Sequence, residues 1–198
     1  MLLVRTTLYR RGKLPHWEIE HGRYFITVRL GDSLPNATVD QLREVHRAIT
    51  AIDARSDAFI KLQRRYFQTM EKYLDAGSGA CLLREPRHAA AVVDEFAALH
   101  DWAVDVPHYT VMPNHLHALV VPRAGCGHSL ADIMKRLKGR IAHHIRRSVP
   151  GDSPLWQREW FDRWLRSESE WDKFVAYIRG NPVKAHLVAH WQDHPWTK

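Results

Sequence analysis

The chain has 198 residues, 45% of them hydrophobic, and 29 Lys and Arg against 22 Asp and Glu give a net charge of +7. That length supports one domain with a sizeable core, and the basic excess favours a polyanionic partner through long-range attraction and counterion release. Cys81 and Cys126 without a C-x-x-C pair exclude a disulfide scaffold and a thiolate zinc site, and no apolar run approaches membrane-spanning length, so the expectation is a cytoplasmic protein with no membrane partner.

In chain order, a basic arm over residues 1–17 comes first, with Arg5, Arg10, Arg11 and Lys13 interleaved with Pro15 and Trp17. Tyr24 to Leu30, β-branched and aromatic between Gly22 and Gly31, predicts the first strand. From Thr38 to Leu74 apolar residues recur at helical spacing: Val39, Leu42, Val45, Ile49 and Ile52, then Ile60, Phe67, Met70 and Leu74. This predicts a helical insertion over 38–76, two helices that break near Asp53 to Asp57, followed by a Gly77-Ser78-Gly79 linker. Pro86 opens a helix over Arg87 to His100, with Val92, Val93, Phe96 and Leu99 inward. Trp102 to Met112 and His115 to Val121 read as two strands joined by a turn at Pro113-Asn114.

Ser129, with Asp132 three residues on, caps the next helix, whose apolar stripe is Ile133, Leu137, Ile141 and Ile145. Its other face carries Lys135, Arg136, Lys138, Arg140, Arg146 and Arg147, a pattern that serves a solvated helix face or a DNA contact, and Pro150-Gly151 ends it. A short segment around Trp156 to Leu165 precedes a last helix opened by Ser167 with Glu170 in capping-box spacing, and Pro182 falls near its end. Strand, helix, hairpin, helix, short strand, helix is the order of an α+β fold: an antiparallel sheet with helices packed on it, read as a single domain over 1–198.

The chemistry concentrates in two places. His115 and His117 stand at i and i+2 of a strand, so their imidazoles project from one face, expected to be an open site, and form half of a divalent-metal site. Tyr177 and Asn181 stand at i and i+4 of the last helix and share a face, so a phenol and an amide oxygen can aim at one point. A neutral oxygen beside two imidazoles suits Mg²⁺ or Mn²⁺.

Five ordered motifs turn this into a resemblance. Tyr24-Phe25-Ile26-Thr27 on the first strand, Met112-Pro113-Asn114-His115-Leu116-His117, the basic helix after it, Trp156-Gln157-Arg158, and the run from Tyr177 to Ala185 together resemble the REP-associated tyrosine transposases, a branch of the single-tyrosine HUH transposases. The resemblance runs from about Trp17 to Val188. It implies a ferredoxin/RRM-like HUH transposase fold, Tyr177 as nucleophile, His115 and His117 as metal ligands with Asn181 as the third, and Mg²⁺ or Mn²⁺ as cofactor. It implies a nucleoid-associated bacterial enzyme, monomer or homodimer, that cuts and rejoins single-stranded or hairpin DNA through a 5′-phosphotyrosine. Arg10, Arg11, Lys135, Arg136, Lys138 and Arg140 are the expected DNA contacts. Two other readings remain open: a non-catalytic binder of structured DNA or RNA, and a metal-dependent nuclease in which water attacks. No residue in the sequence stands out as the base that activates Tyr177.

Overall fold

The computed structural model describes residues 6–11, 15–19, 22–52 and 56–198. Strands β3 (Tyr24–Arg29) and β6 (His115–Pro122) form the centre of an antiparallel sheet, with Thr27 opposite His117 and Arg29 opposite His115. β7 (Phe161–Trp164) pairs with the free edge of β3, while β4 (Val104–Asp105) and β5 (Tyr109–Val111) both pair with β6. The expected strand from Trp102 to Met112 is thus two short pieces: Pro107 between them has no N–H to give to a ladder. The outer edge of β5 is taken by the C-terminal segment, where Val111 N–H donates to Trp196 and Lys198 N–H to Tyr109, which leaves no open edge there for another strand.

Alternation along β3 and β6 divides the interior in two. Tyr24, Ile26 and Val28 with Leu116, Ala118 and Val120 face helices α3 (Pro86–Ala98) and α4 (Leu130–Arg146), against Val92, Phe96, Ile133, Leu137, Ile141 and Ile145. Phe25 and Leu119 face the opposite way, onto Leu42 of α1 (Asn36–Ala51), Met70 and Leu74 of α2 (Asp57–Leu74), and Ile178 of α5 (Glu168–Lys184). Each fully buried side chain of this size contributes about 1.5–3 kcal/mol of transfer free energy. Thr27, Arg29, His115 and His117 are polar residues on this second face and are buried with it.

The helix ends follow the sequence signals. Ser129 and Asp132 form a reciprocal capping box on α4, Ser167 accepts from Glu170 N–H at the start of α5, and Pro86 occupies the first turn of α3. Pro182 lies inside the last turn of α5 rather than beyond it. Gly79 closes the connection from α2 back to the sheet: its φ is +88°, and a Cβ there would sit 2.6 Å from the Asp32 carbonyl oxygen, so no larger residue fits. No helix among the described residues is long and apolar enough to cross a membrane.

Part of the basic arm is a two-stranded hairpin, β1 (Thr6–Arg11) and β2 (Pro15–Ile19). Arg5 and Lys13 lie outside the described residues, and Arg10 and Arg11 are described only as backbone of β1. His16 fastens β2 to the β7 region: Nδ1 bonds the Asp162 carboxylate, Nε2 stands 3.5 Å from Glu159, and the ring stacks on Trp160 at 4.2 Å. Burial alone would lower the His16 pKa, but the hydrogen bonds it donates to Asp162 and Glu159, with the attraction of their charges, outweigh it and raise it to about 9. A raised pKa means the contact stabilises fully below the unfolded value of about 6.5 and is lost as pH rises through about 9. Amide exchange in β2 is therefore expected to accelerate between pH 7 and 10 beyond the intrinsic base-catalysed rise. His16→Gln should remove that excess; an equal excess in the variant would show that His16 is not the fastener.

Candidate active site

His115 and His117 come to one point because β6 alternates, and each is held by a partner on its far nitrogen. Asn114 donates its amide N–H groups to the carbonyls of Leu74 (3.4 Å) and Ser78 (3.0 Å), which leaves Oδ1 to accept from His115 Nδ1 at 2.7 Å. Thr27 Oγ1, across the sheet, lies 2.8 Å from His117 Nδ1. With both Nδ1 atoms occupied, the two Nε2 atoms point inward, 3.1 Å apart. Orienting partners of this kind fix ring direction and leave the second nitrogen to a ligand. Burial drives the pKa of His115 and of His117 down to about 3, for His115 with the added repulsion of His117. Both imidazoles are therefore neutral at neutral pH, the form that binds a cation.

The third member is a residue the sequence reading did not single out. Glu71 of α2 places Oε2 3.4 Å from His117 Nε2, and the donor atoms of Glu71, His115 and His117 lie within 4.8 Å of one another. Glu71 Oε1 is buried with no hydrogen-bond partner. Burial raises the Glu71 pKa to about 7, with Asp75 adding to the rise and His115 and Lys184 opposing it. One signal for it was in the sequence. Glu71 stands four residues after Phe67 and three before Leu74, so it is a carboxylate on the apolar stripe of an amphipathic helix.

Tyr177 and Asn181 arrive from α5 as their spacing requires. The Tyr177 hydroxyl donates to Glu71 Oε2, and its ring is boxed by His117 (5.2 Å between centroids), Phe67 (5.6 Å) and Phe25 (5.7 Å). Asn181 is 1% exposed, and both its amide atoms are buried without a hydrogen bond, yet it lies close enough to Glu71 and His115 to favour the charged form of each. Orphaned buried amide atoms are rare and call for a partner. Two neutral imidazole nitrogens, a carboxylate and an unsatisfied amide on one point are a donor set that fits a hard or borderline divalent cation.

The histidines do not face an open site. Both are 0% exposed, under α2 and α5, and the opening lies on the tyrosine side. There a groove of about 660 Å³ runs between α2 and α5, lined by Glu71, Tyr177, Phe67, Phe174, Arg64 and Lys173.

The helix α4 cations are not part of this site. α4 packs on the opposite face of the sheet. Lys138 Nζ donates to the carbonyls of Gln157 (2.8 Å) and Arg158 (2.7 Å), Arg140 pairs with Glu95 at 2.8 Å, and Arg136 lies 4.5 Å over the Trp102 ring. Lys135 alone of the four expected contacts on this helix is exposed with no such engagement among the described residues.

Comparison with known proteins places this geometry. Residues 88–181, from α3 to Asn181, match the family described as "Transposase IS200 like". A solved REP-associated tyrosine transposase bound to a REP hairpin shares the fold, with a TM-score of 0.52 and 20% identity over 96% of this chain and 81% of that one. An uncharacterized protein of Haemophilus influenzae is 22% identical over 100 residues, 40% of this chain and 55% of that protein, so the chain spans about half the length of the curated relative it matches. Residues 88–181 are thus similar to the IS200-like transposases, and the α+β fold is similar to that of a solved REP-associated tyrosine transposase.

Proposed function

We propose that the protein cuts and rejoins single-stranded DNA at hairpin-forming repeats through a covalent bond to Tyr177. The observation that carries the reading is the Tyr177 hydroxyl hydrogen-bonded to the Glu71 carboxylate at the mouth of a buried His115–His117 pair. A phenol with an ordinary pKa near 10 is a poor nucleophile at neutral pH and needs an adjacent acceptor. Glu71 is that acceptor. As the Tyr177 oxygen bonds to phosphorus, its proton passes to Glu71, the bond from phosphorus to the 3′-oxygen of the neighbouring nucleotide breaks, and that oxygen leaves with a proton taken up from solvent. The products are a 5′-phosphotyrosyl protein and a free 3′-hydroxyl. A second 3′-hydroxyl attacking the same phosphorus reverses the exchange, because the phosphodiester energy is kept in the tyrosyl bond.

His115, His117, Glu71 and Asn181 would hold a Mg²⁺ or Mn²⁺ ion, which when bound supplies polarisation of the scissile phosphate. Phe25, Phe67 and His117 pack around the Tyr177 ring and hold it at the side of the groove. The groove between α2 and α5 is where the strand would approach. A REP hairpin is the ligand of the structural neighbour, and a hairpin with single-stranded flanks meets the same need here: a phosphate whose neighbouring bases can splay.

The test is cleavage of one 5′- and 3′-labelled sequence presented as a single strand, a hairpin with single-stranded flanks and a perfect duplex, with Mn²⁺ and with EDTA. Cutting is expected only of the first two, only with metal, and with an SDS-stable protein–DNA species. Duplex cutting should be slower by about 10²-fold or more, since unpairing and unstacking cost a few kcal/mol. Equal cutting of the duplex without an adduct would replace the proposal with a nuclease in which water attacks. Tight binding without any cutting would replace it with a binding module.

A further inference from the structure

Arg29 ends β3 directly opposite His115, on the same face of the sheet as the two histidines. It is only 6% exposed, and its one hydrogen bond is from Nη1 to Ser33 Oγ, at 3.3 Å. Among the described residues no carboxylate pairs with it. A guanidinium stays charged in proteins and carries five N–H donors, so four are left over. A buried charge in this state is costly to keep without a partner.

The side chain borders a small cavity of about 90 Å³ between the end of β3, helices α1 and α2, and the segment before β7. Arg43, His46, Tyr66, Gln157 and Glu159 complete its walls. The one carboxylate among them, Glu159, faces His16. The space equals about three water molecules at ~30 Å³ each, enough for the non-bridging oxygens of one phosphate. Planar, bidentate recognition of phosphate is what a guanidinium does better than an ammonium. Thr27, which also lines this cavity, lies 2.8 Å from His117 Nδ1, so one residue separates the cavity from the histidine pair.

We propose that Arg29 is an oxyanion-binding residue that takes a backbone phosphate of the DNA strand, one flanking the phosphate presented to Tyr177. It holds the strand in register and does not act on the reacting atoms. The proposal rests on the DNA reading above, but its test is binding rather than cleavage, so the two fail separately. If wild type forms no adduct while the Arg29 effects below appear, only the cleavage reading falls.

Single-stranded oligonucleotide binding is measured in EDTA, across a salt series, for wild type, Arg29→Met and Arg29→Lys, alongside thermal melting without DNA. Arg29→Met is expected to melt no lower than wild type, because it removes an unpaired buried charge. It should bind DNA at least tenfold more weakly, and the slope of log affinity against log salt should shrink by about 0.7, the value of one phosphate contact on a single strand. Arg29→Lys should recover the slope but not the affinity. In wild type, neutral methylphosphonate placed at successive positions should weaken binding sharply at one of them, and Arg29→Met should be indifferent at that position.

Arg29→Met that melts lower and binds DNA as wild type does would overturn the proposal in favour of a packing role. A wild-type methylphosphonate scan with no sensitive position would overturn it even if the Met variant did not fold. Inorganic phosphate raising the melting temperature of wild type but not of Arg29→Met, with a flat methylphosphonate scan, would assign the cavity to a free anion instead.

Discussion

Tyr177→Phe is expected to bind single-stranded DNA as the parent does and to form no SDS-stable adduct, with cleavage reduced by on the order of 10⁴-fold or more, the scale of nucleophile deletions. The substitution removes one oxygen. The ring contacts to Phe25, Phe67 and His117 do not involve that oxygen, so the aromatic box stays filled. The hydrogen bond to Glu71 is lost, and a buried carboxylate oxygen then keeps only the His117 edge, 3.4 Å away. That loss should cost about 1–3 kcal/mol, a fall of a few degrees in melting temperature. The measurement is gel retention of labelled DNA after SDS and heat, set against affinity in EDTA. An adduct surviving in the variant would place the nucleophile on another of the six tyrosines and undo the assignment of α5.

Why Tyr177 was legible in the sequence, and Glu71 much less so, is a matter of range. His115 with His117 and Tyr177 with Asn181 are local patterns, each inside one element whose period brings its two members to one side. Their meeting depends only on β6 and α5 packing face to face, which the order of elements already favoured. Glu71 reaches the site because α2 lies across the sheet from a position 44 residues before His115 in the chain, and nothing local fixes that docking. The same holds for Arg29, whose neighbour in space is set by the β3–β6 register. The basic face of α4 is a different case. The 3.6-residue pattern located the face correctly, but charge alone cannot tell a free cation from one already spent on Glu95 or on the carbonyls of residues 157 and 158. The split of the strand near Pro107 was available from the sequence, since proline has no donor to give a ladder.

The second large effect should come from Glu71. Glu71→Gln keeps the shape of the side chain and an oxygen that can accept from Tyr177, but it removes the negative charge and the ability to take the phenol proton. If Glu71 both accepts that proton and helps hold the cation, adduct formation should slow by about 10²–10⁴-fold, the usual contribution of a positioned base, and the loss should persist at saturating DNA. The variant should also lose much of the rise in melting temperature that Mn²⁺ gives to the parent, since a ligand stabilises only in proportion to its affinity for the folded state. Without metal the variant should be no less stable: Glu71 is buried, its Oε1 has no hydrogen-bond partner, and a neutral amide avoids the desolvation of a charge. Glu71→Ala separates the roles further, because it also deletes the acceptor and the packing against α5, so it should lower stability as well as activity. The decisive comparison is between the rate and the Mn²⁺-induced shift for the glutamine variant. A slow rate with an intact metal shift would leave Glu71 as proton acceptor only, and a lost shift with an intact rate would leave it as metal ligand only. Wild-type values for both would mean that the carboxylate merely fills space beneath Tyr177, and that the base which activates the phenol lies elsewhere.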